Sequence, residues 1–176
     1  MLIVKNILAI TLLPFTVTIL VPGLILQSTG GFRIGWALPT PGWVLLAVLG
    51  IGFIAIGLFF LIGTIRLFGA IGQGTLAPWH PPRTLVVQGP YRFVRNPMIT
   101  GVFGILLGES IFFGCLPLLY WFIFAAVLNG IYIPLIEEPG LERRFGGSYL
   151  LYRRNVPRWI PRFIPWDGQD TLSSRG

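Results

Sequence analysis

Four apolar runs, separated by polar islands, set the pattern of this chain. Residues 7–26, 43–65, 98–113 and 117–136 are almost free of charge. Twenty helical residues span about 30 Å, the thickness of a hydrocarbon core, so the long runs predict membrane helices. Pro14 and Pro22 fall inside the first run and predict kinks that a membrane bundle tolerates. The third and fourth runs form a helical hairpin with its tip at Gly114–Pro117. Its first arm is short, about 24 Å of helix. Gly104 and Gly108 on that arm, and Gly50, Gly52, Gly57 and Gly63 on the second run, leave small faces for close helix contact. Glu109, beside these glycines, is expected to be buried between helices, because a lipid-facing carboxylate is costly.

Between the runs the pattern changes. Residues 69–97 are too rich in Gly and Pro for a helix, with Leu85-Val86-Val87 as a brief extended piece. The segment ends in Gly89-Pro90-Tyr91-Arg92-Phe93-Val94-Arg95-Asn96-Pro97, and Pro97 suits the first turn of the next helix. Glu137-Glu138 ends the hairpin and returns to the level of Arg95. Beyond it, Leu141, Phe145, Tyr149 and Tyr152 mark one face of an amphipathic helix, with Arg143, Arg144, Arg153 and Arg154 elsewhere on it. Residues 156–162 read as a proline-broken anchor and 166–176 as a loose tail. The expected fold is an all-α integral membrane bundle of about four to five membrane segments with a cytoplasmic amphipathic C-terminal helix. It forms one domain over 1–176, with N-terminal transmembrane helices over 1–68 and a binding and catalytic region over 69–165.

Composition supports the membrane reading. The 176 residues are 54% hydrophobic and 11% charged, where a soluble domain carries roughly 25% charge. The mean hydropathy is +0.78. A net charge of +7 would suit nucleic acid, but arginines placed between apolar runs fit membrane topology better, and no nucleic-acid partner is expected. With the N-terminus, 66–97 and the C-terminal region in the cytoplasm, twelve of the thirteen basic residues lie on that side and Arg33 alone lies outside. The first run exceeds a signal-peptide core and lacks an A-x-A site, so it reads as a retained helix. A single cysteine, Cys115, and a single histidine, His80, leave no disulfide framework and no thiolate or histidine-rich metal site.

The ordered set of GPYRFVRNP, the hairpin, Glu137-Glu138-Pro139, Phe145-Gly146, Tyr149-x-x-Tyr152 and Val156-Pro157 to Ile160-Pro161 resembles the isoprenylcysteine carboxyl methyltransferase family, to which phospholipid N-methyltransferases are related. The resemblance covers roughly residues 69–165. It implies an S-adenosylmethionine site at the cytoplasmic face and a lipophilic or lipidated acceptor arriving from the membrane lipids. On this resemblance Gly72 and Gly74 match a Gly-x-Gly cofactor element and Glu137-Glu138 an acidic pair. Tyr91, Arg95, Asn96 and Pro97 complete the implied cofactor set, and Arg95, Glu138 and Arg158 the catalytic set. Four positions depart from the pattern: Asn96 replaces the usual histidine, Ile99 a common tyrosine, and Gly147-Ser148 a common acidic pair. Asn96 does not titrate near neutral pH, so it offers no general base.

The residue types fit such a cofactor on their own terms. A carboxylate accepts from both ribose hydroxyls and favours the amino and sulfonium charges. Plainer readings compete with the functional one. Glu137-Glu138 would serve as interfacial charges, Gly72-Gln73-Gly74 as a turn, Tyr149 and Tyr152 as packing, and the C-terminal arginines as anchors for anionic headgroups. A nicotinamide-dependent membrane sterol-type reductase and a non-enzymatic scaffold or small transporter stand as alternatives.

Overall fold

The computed structural model describes residues 12–30, 36, 38–71 and 85–168, and all regular structure among them is helical. Helix α1, Leu12–Ser28, contains a π turn at Thr16–Leu20 next to Pro22. Backbone groups loosened here find partners inside the protein, as a lipid environment demands. Thr18 Oγ1 donates to the Pro14 carbonyl at 2.7 Å, and Trp121 Nε1 reaches the Val17 carbonyl at 3.0 Å.

Helix α2 spans Gly42–Ile71 and α3 spans Pro97–Phe113. They run antiparallel in the tightest contact of the molecule. A Cβ on Gly57 would stand 2.6 Å from the Gly101 carbonyl oxygen, and one on Gly108 2.6 Å from the Gly50 carbonyl oxygen. Only glycine permits that approach, so dispersion between backbones holds the pair. Gly114 ends α3 in the left-handed region at φ 63°, where glycine carries no Cβ penalty.

Helix α4 follows as one continuous rod, Leu116–Phe145. It comprises Leu116–Tyr132, a π turn at Ile133–Glu137, and Glu138–Phe145. The hairpin therefore does not end at Glu137-Glu138; the helix passes through. Pro134 and Pro139 would break a regular ladder. The π turn absorbs the fault by bonding the Glu138 N–H back to the Ile133 carbonyl, five residues earlier.

The expected amphipathic helix is likewise two pieces. Gly146, at φ 52°, separates α4 from α5, Gly147–Asn155. Its apolar face survives the break: Tyr149, Tyr152, Val156 and Trp166 form one buried cluster, lined by Leu85, Val87, Leu141 and Phe145. Leu85–Val87 thus packs on this cluster without becoming a strand. Trp166 belongs to the core and not to a loose tail.

Helices α2 and α4 are long and apolar enough to cross a membrane, and α1 and α3 are shorter apolar helices. On their outer faces Leu45, Phe59, Leu128 and Leu135 stand exposed, as lipid contact requires. Thr29 Oγ1 lies 3.7 Å from Cys115 Sγ, and Trp36 Nε1 donates to the Ile111 carbonyl at 3.1 Å. The loop after α1 and the hairpin tip therefore share one end of the bundle. The Arg95 segment and Glu138 share the other.

Candidate active site

Three chain segments meet at that second end. The first is the short 3₁₀ turn Gly89–Arg92 and the residues after it. The second is the middle of α4 around Glu138. The third is the strap that follows α5. Backbone bonds fasten the strap to the first segment: Arg95 N–H donates to the Pro157 carbonyl, Arg162 N–H to Phe93 and Trp166 N–H to Arg92, each at 2.9 Å.

Glu138 is the centre. Its carboxylate is 3% exposed, with Arg95 at 9% and Arg158 at 27%. Arg158 grips it with two donors, Nε to Oε1 at 2.6 Å and Nη2 to Oε2 at 2.7 Å. Arg95 Nη1 adds a third bond to Oε1 at 2.7 Å. The charge-assisted fork of Arg158 is the strong form of this contact. Hydrogen bonding to Glu138 holds the Arg158 guanidinium above its already high range. Arg95 and Arg158 enclose the carboxylate, and Arg153 Nε lies 3.9 Å from Oε2, which leaves the cluster with an excess positive charge.

Arg95 is itself fixed from two sides. Its Nε donates to the Val156 carbonyl at 2.9 Å, and its Nη1 also reaches Tyr149 Oη at 3.3 Å. Burial pushes the Tyr149 phenol up, and nearby Glu138 adds to this, so the hydroxyl stays protonated at neutral pH. Tyr152 Oη donates to the Tyr91 carbonyl at 2.7 Å. Tyr91 packs edge-on against Phe68, and burial first, then Tyr152 and Glu137, raise its phenol too.

The residues singled out in the sequence converge here unequally. Arg95, Glu138 and Arg158 form the ion cluster. Asn96 Nδ2 reaches the Arg158 carbonyl only at the long distance of 3.5 Å, and buried Pro97 opens α3 beside it. Neighbouring positions on a helix point roughly 100° apart, so Glu137 faces outward while Glu138 faces in. Glu137 is exposed and its side chain makes no hydrogen bond among the described residues. Gly72 and Gly74 lie outside the described residues. Tyr149, read from sequence as packing, is both: it is 2% exposed and also touches Arg95. Its four-residue spacing from Phe145 signals the apolar face but not the polar contact.

Glu109 sits near the C-terminal end of α3, about one turn from the hairpin tip, half-buried, with Oε2 enclosed and lacking a hydrogen-bond partner among the described residues. Cys115 is buried with Leu26 and Leu118 at the far end. Neither approaches the ion cluster in the chain's layout.

Comparison with curated proteins finds no match. A family model for phospholipid methyltransferases matches residues 45–148. That stretch runs from α2 through the Arg95 segment and the α3–α4 hairpin to Glu138 and the start of α5, and so contains two of the three segments that build the site. The chain belongs to the phospholipid methyltransferase family, and it is a membrane methyltransferase.

Proposed function

We propose that this protein transfers a methyl group from S-adenosylmethionine to a lipophilic acceptor, most directly the carboxylate of an isoprenylcysteine-like molecule. The observation that carries the reading is the buried Glu138 cluster with its surplus cation, set beside the outward-facing Glu137. This donor set suits a ligand that carries both a carboxylate and positive groups. Glu137 would take the ribose or amino end, with Glu138 behind it. Arg95 and Asn96 would face its carboxylate, with Tyr91 and Pro97 alongside. Gly72 and Gly74 keep the backbone role that the resemblance implies.

When bound, S-adenosylmethionine supplies an electron-poor methyl group open to in-line attack. A carboxylate acceptor is already ionised at neutral pH, so the protein needs no general base, and Asn96 in the histidine position is compatible with that. Positioning and exclusion of water are the main requirements. Arg158 presents its Nε and Nη2 to Glu138, and its remaining guanidinium edge can hold a second anion. Glu138 thereby fixes the orientation of a cation that faces the acceptor. We place the site on the cytoplasmic side, because twelve of thirteen basic residues fall there in that orientation.

The family match favours a second acceptor, a lipid amine. Both are tested by incubating the purified protein with methyl-labelled S-adenosylmethionine and a total membrane extract. Label released as methanol by mild alkali identifies a carboxyl ester. Alkali-stable label in the lipid fraction identifies an N-methyl amine. No protein-dependent transfer into any lipophilic species contradicts both.

A further inference from the structure

The strap after α5 carries three large apolar side chains that nothing among the described residues covers. Ile160 is 80% exposed, Ile164 74%, and Phe163 fully so at 102%. Exposure of this kind usually accompanies a loose chain, but this strap is fastened on both sides of them. Pro157 is bonded to Arg95, Trp159 to Thr100, Arg162 to Phe93 and Trp166 to Arg92. The apolar residues are therefore presented on a fixed backbone.

Their position relative to the helices is also set. The Trp159 carbonyl accepts from Thr100 Oγ1 at 3.1 Å, one turn into α3, and the Trp159 ring lies 5.4 Å from the Phe103 ring. Phe103 in turn meets Phe122 of α4. The strap thus lies along the entry turns of the apolar hairpin, at the level where a chain passes from water into lipid. Trp is the residue best suited to that level.

Cations cluster on the helix ends that lead into the strap and within it. Arg143 and Arg144 close α4, and Arg153 and Arg154 close α5; all four are exposed. Arg162 lies within the strap and bonds the Asn155 carbonyl at the end of α5. Glu142 offsets part of this charge through its 3.4 Å pair with Arg153.

We propose that Ile160, Phe163 and Ile164 form a wedge inserted at the headgroup–acyl boundary of the leaflet on the site's side, with the surrounding arginines on anionic phospholipid headgroups. Apolar burial and electrostatic attraction are the two terms that hold interfacial elements. Arg158 opens the same strap, so the wedge would also hold the ion cluster at a constant depth. The insertion does not depend on the identity of the methyl donor.

The full-length protein carries the test. A nitroxide label is placed by Phe163→Cys in a Cys115→Ala background, and separately by Ser148→Cys, at the exposed start of α5. Each is reconstituted in phosphatidylcholine vesicles with and without phosphatidylglycerol. Phe163 makes no packing contact to lose, so the fold tolerates the change. The expected result is that the 163 label collides severalfold more with dissolved oxygen than with a water-soluble nickel chelate, and the 148 label the reverse. Omitting phosphatidylglycerol, or adding high salt, shifts the 163 label toward the chelate. A 163 label as chelate-accessible as the 148 label overturns the wedge. Burial indifferent to phosphatidylglycerol overturns the anionic contact. Dipolar broadening between 163 labels assigns the patch to a second copy of the chain and overturns the lipid assignment.

Discussion

The α2–α3 seam and the Glu138 cluster are both tightly closed regions, but opposite physics closes them. The seam brings Gly50 and Gly57 against Gly108, Gly101 and Gly104 with no polar side chain between them. The cluster brings the Glu138 carboxylate together with the guanidiniums of Arg95 and Arg158, and with that of Arg153 at 3.9 Å, from separate segments. A seam of backbones in van der Waals contact gives an inert frame. A buried carboxylate with two guanidiniums is costly to desolvate, and a well-packed apolar replacement would often serve stability as well. In the proposed function, this retention of charge at one end of an otherwise apolar bundle is the place where polar ligands are handled.

The largest effect is expected in the seam. Gly57→Leu drives a side chain into the Gly101 carbonyl and the Ile105 N–H, where a Cβ alone would stand 2.6 and 2.7 Å away. Overpacking against backbone has no flexible side chain to yield, and a cost of about 3 kcal/mol or more is expected. Gly52→Leu, with no atom within 4 Å of its Cβ, leaves stability nearly unchanged. Thermal loss of monodisperse protein on size exclusion compares the two. Equal tolerance would mean the seam is looser than its glycines imply.

Glu138→Gln comes next. It leaves Arg95 and Arg158 facing each other without their anion, a loss of about 1–3 kcal/mol for polar groups left without their partner. Adding Arg158→Met removes the orphaned cation and should recover part of that loss, while methyl transfer stays low. A double variant no more stable than Glu138→Gln would show that Arg158 is not the group Glu138 neutralises. Tyr149→Phe removes one long hydrogen bond to Arg95 and is expected to cost only about 0.5–1.5 kcal/mol, measured the same way.

The two regions also differ in how far the sequence reveals them. The seam is legible because glycine spacing on apolar runs repeats with the helix, as at Gly104 and Gly108. The meeting of Arg95 with Glu138 follows from the hairpin length, since both arms are apolar and their ends must return together. The partnership with Arg158 is a long-range contact that no local periodicity encodes; only its place in an ordered motif set singles it out. The passage of α4 through Pro134 and Pro139 is missed because proline usually stops a helix, and a π turn leaves no mark in the pattern. The break at Gly146 is hidden for the opposite reason: Leu141, Phe145, Tyr149 and Tyr152 keep one apolar face across it. Trp166 follows a proline-broken stretch with no helical or strand period, so its docking beside Tyr152 has no periodic signal in the sequence.

The central claim is a division of labour within the acidic pair. Glu138 is held by arginines and Glu137 is exposed, and we propose that the first organises the site while the second meets the cofactor. Titration calorimetry of S-adenosylmethionine into detergent-solubilised wild-type and Glu137→Gln protein tests it most directly, with size exclusion as the check on folding. Loss of one charge-assisted hydrogen bond is worth roughly 1.5–3 kcal/mol, so affinity should fall about ten- to a hundredfold while thermal stability is unchanged. Wild-type affinity in well-folded Glu137→Gln protein would contradict the account.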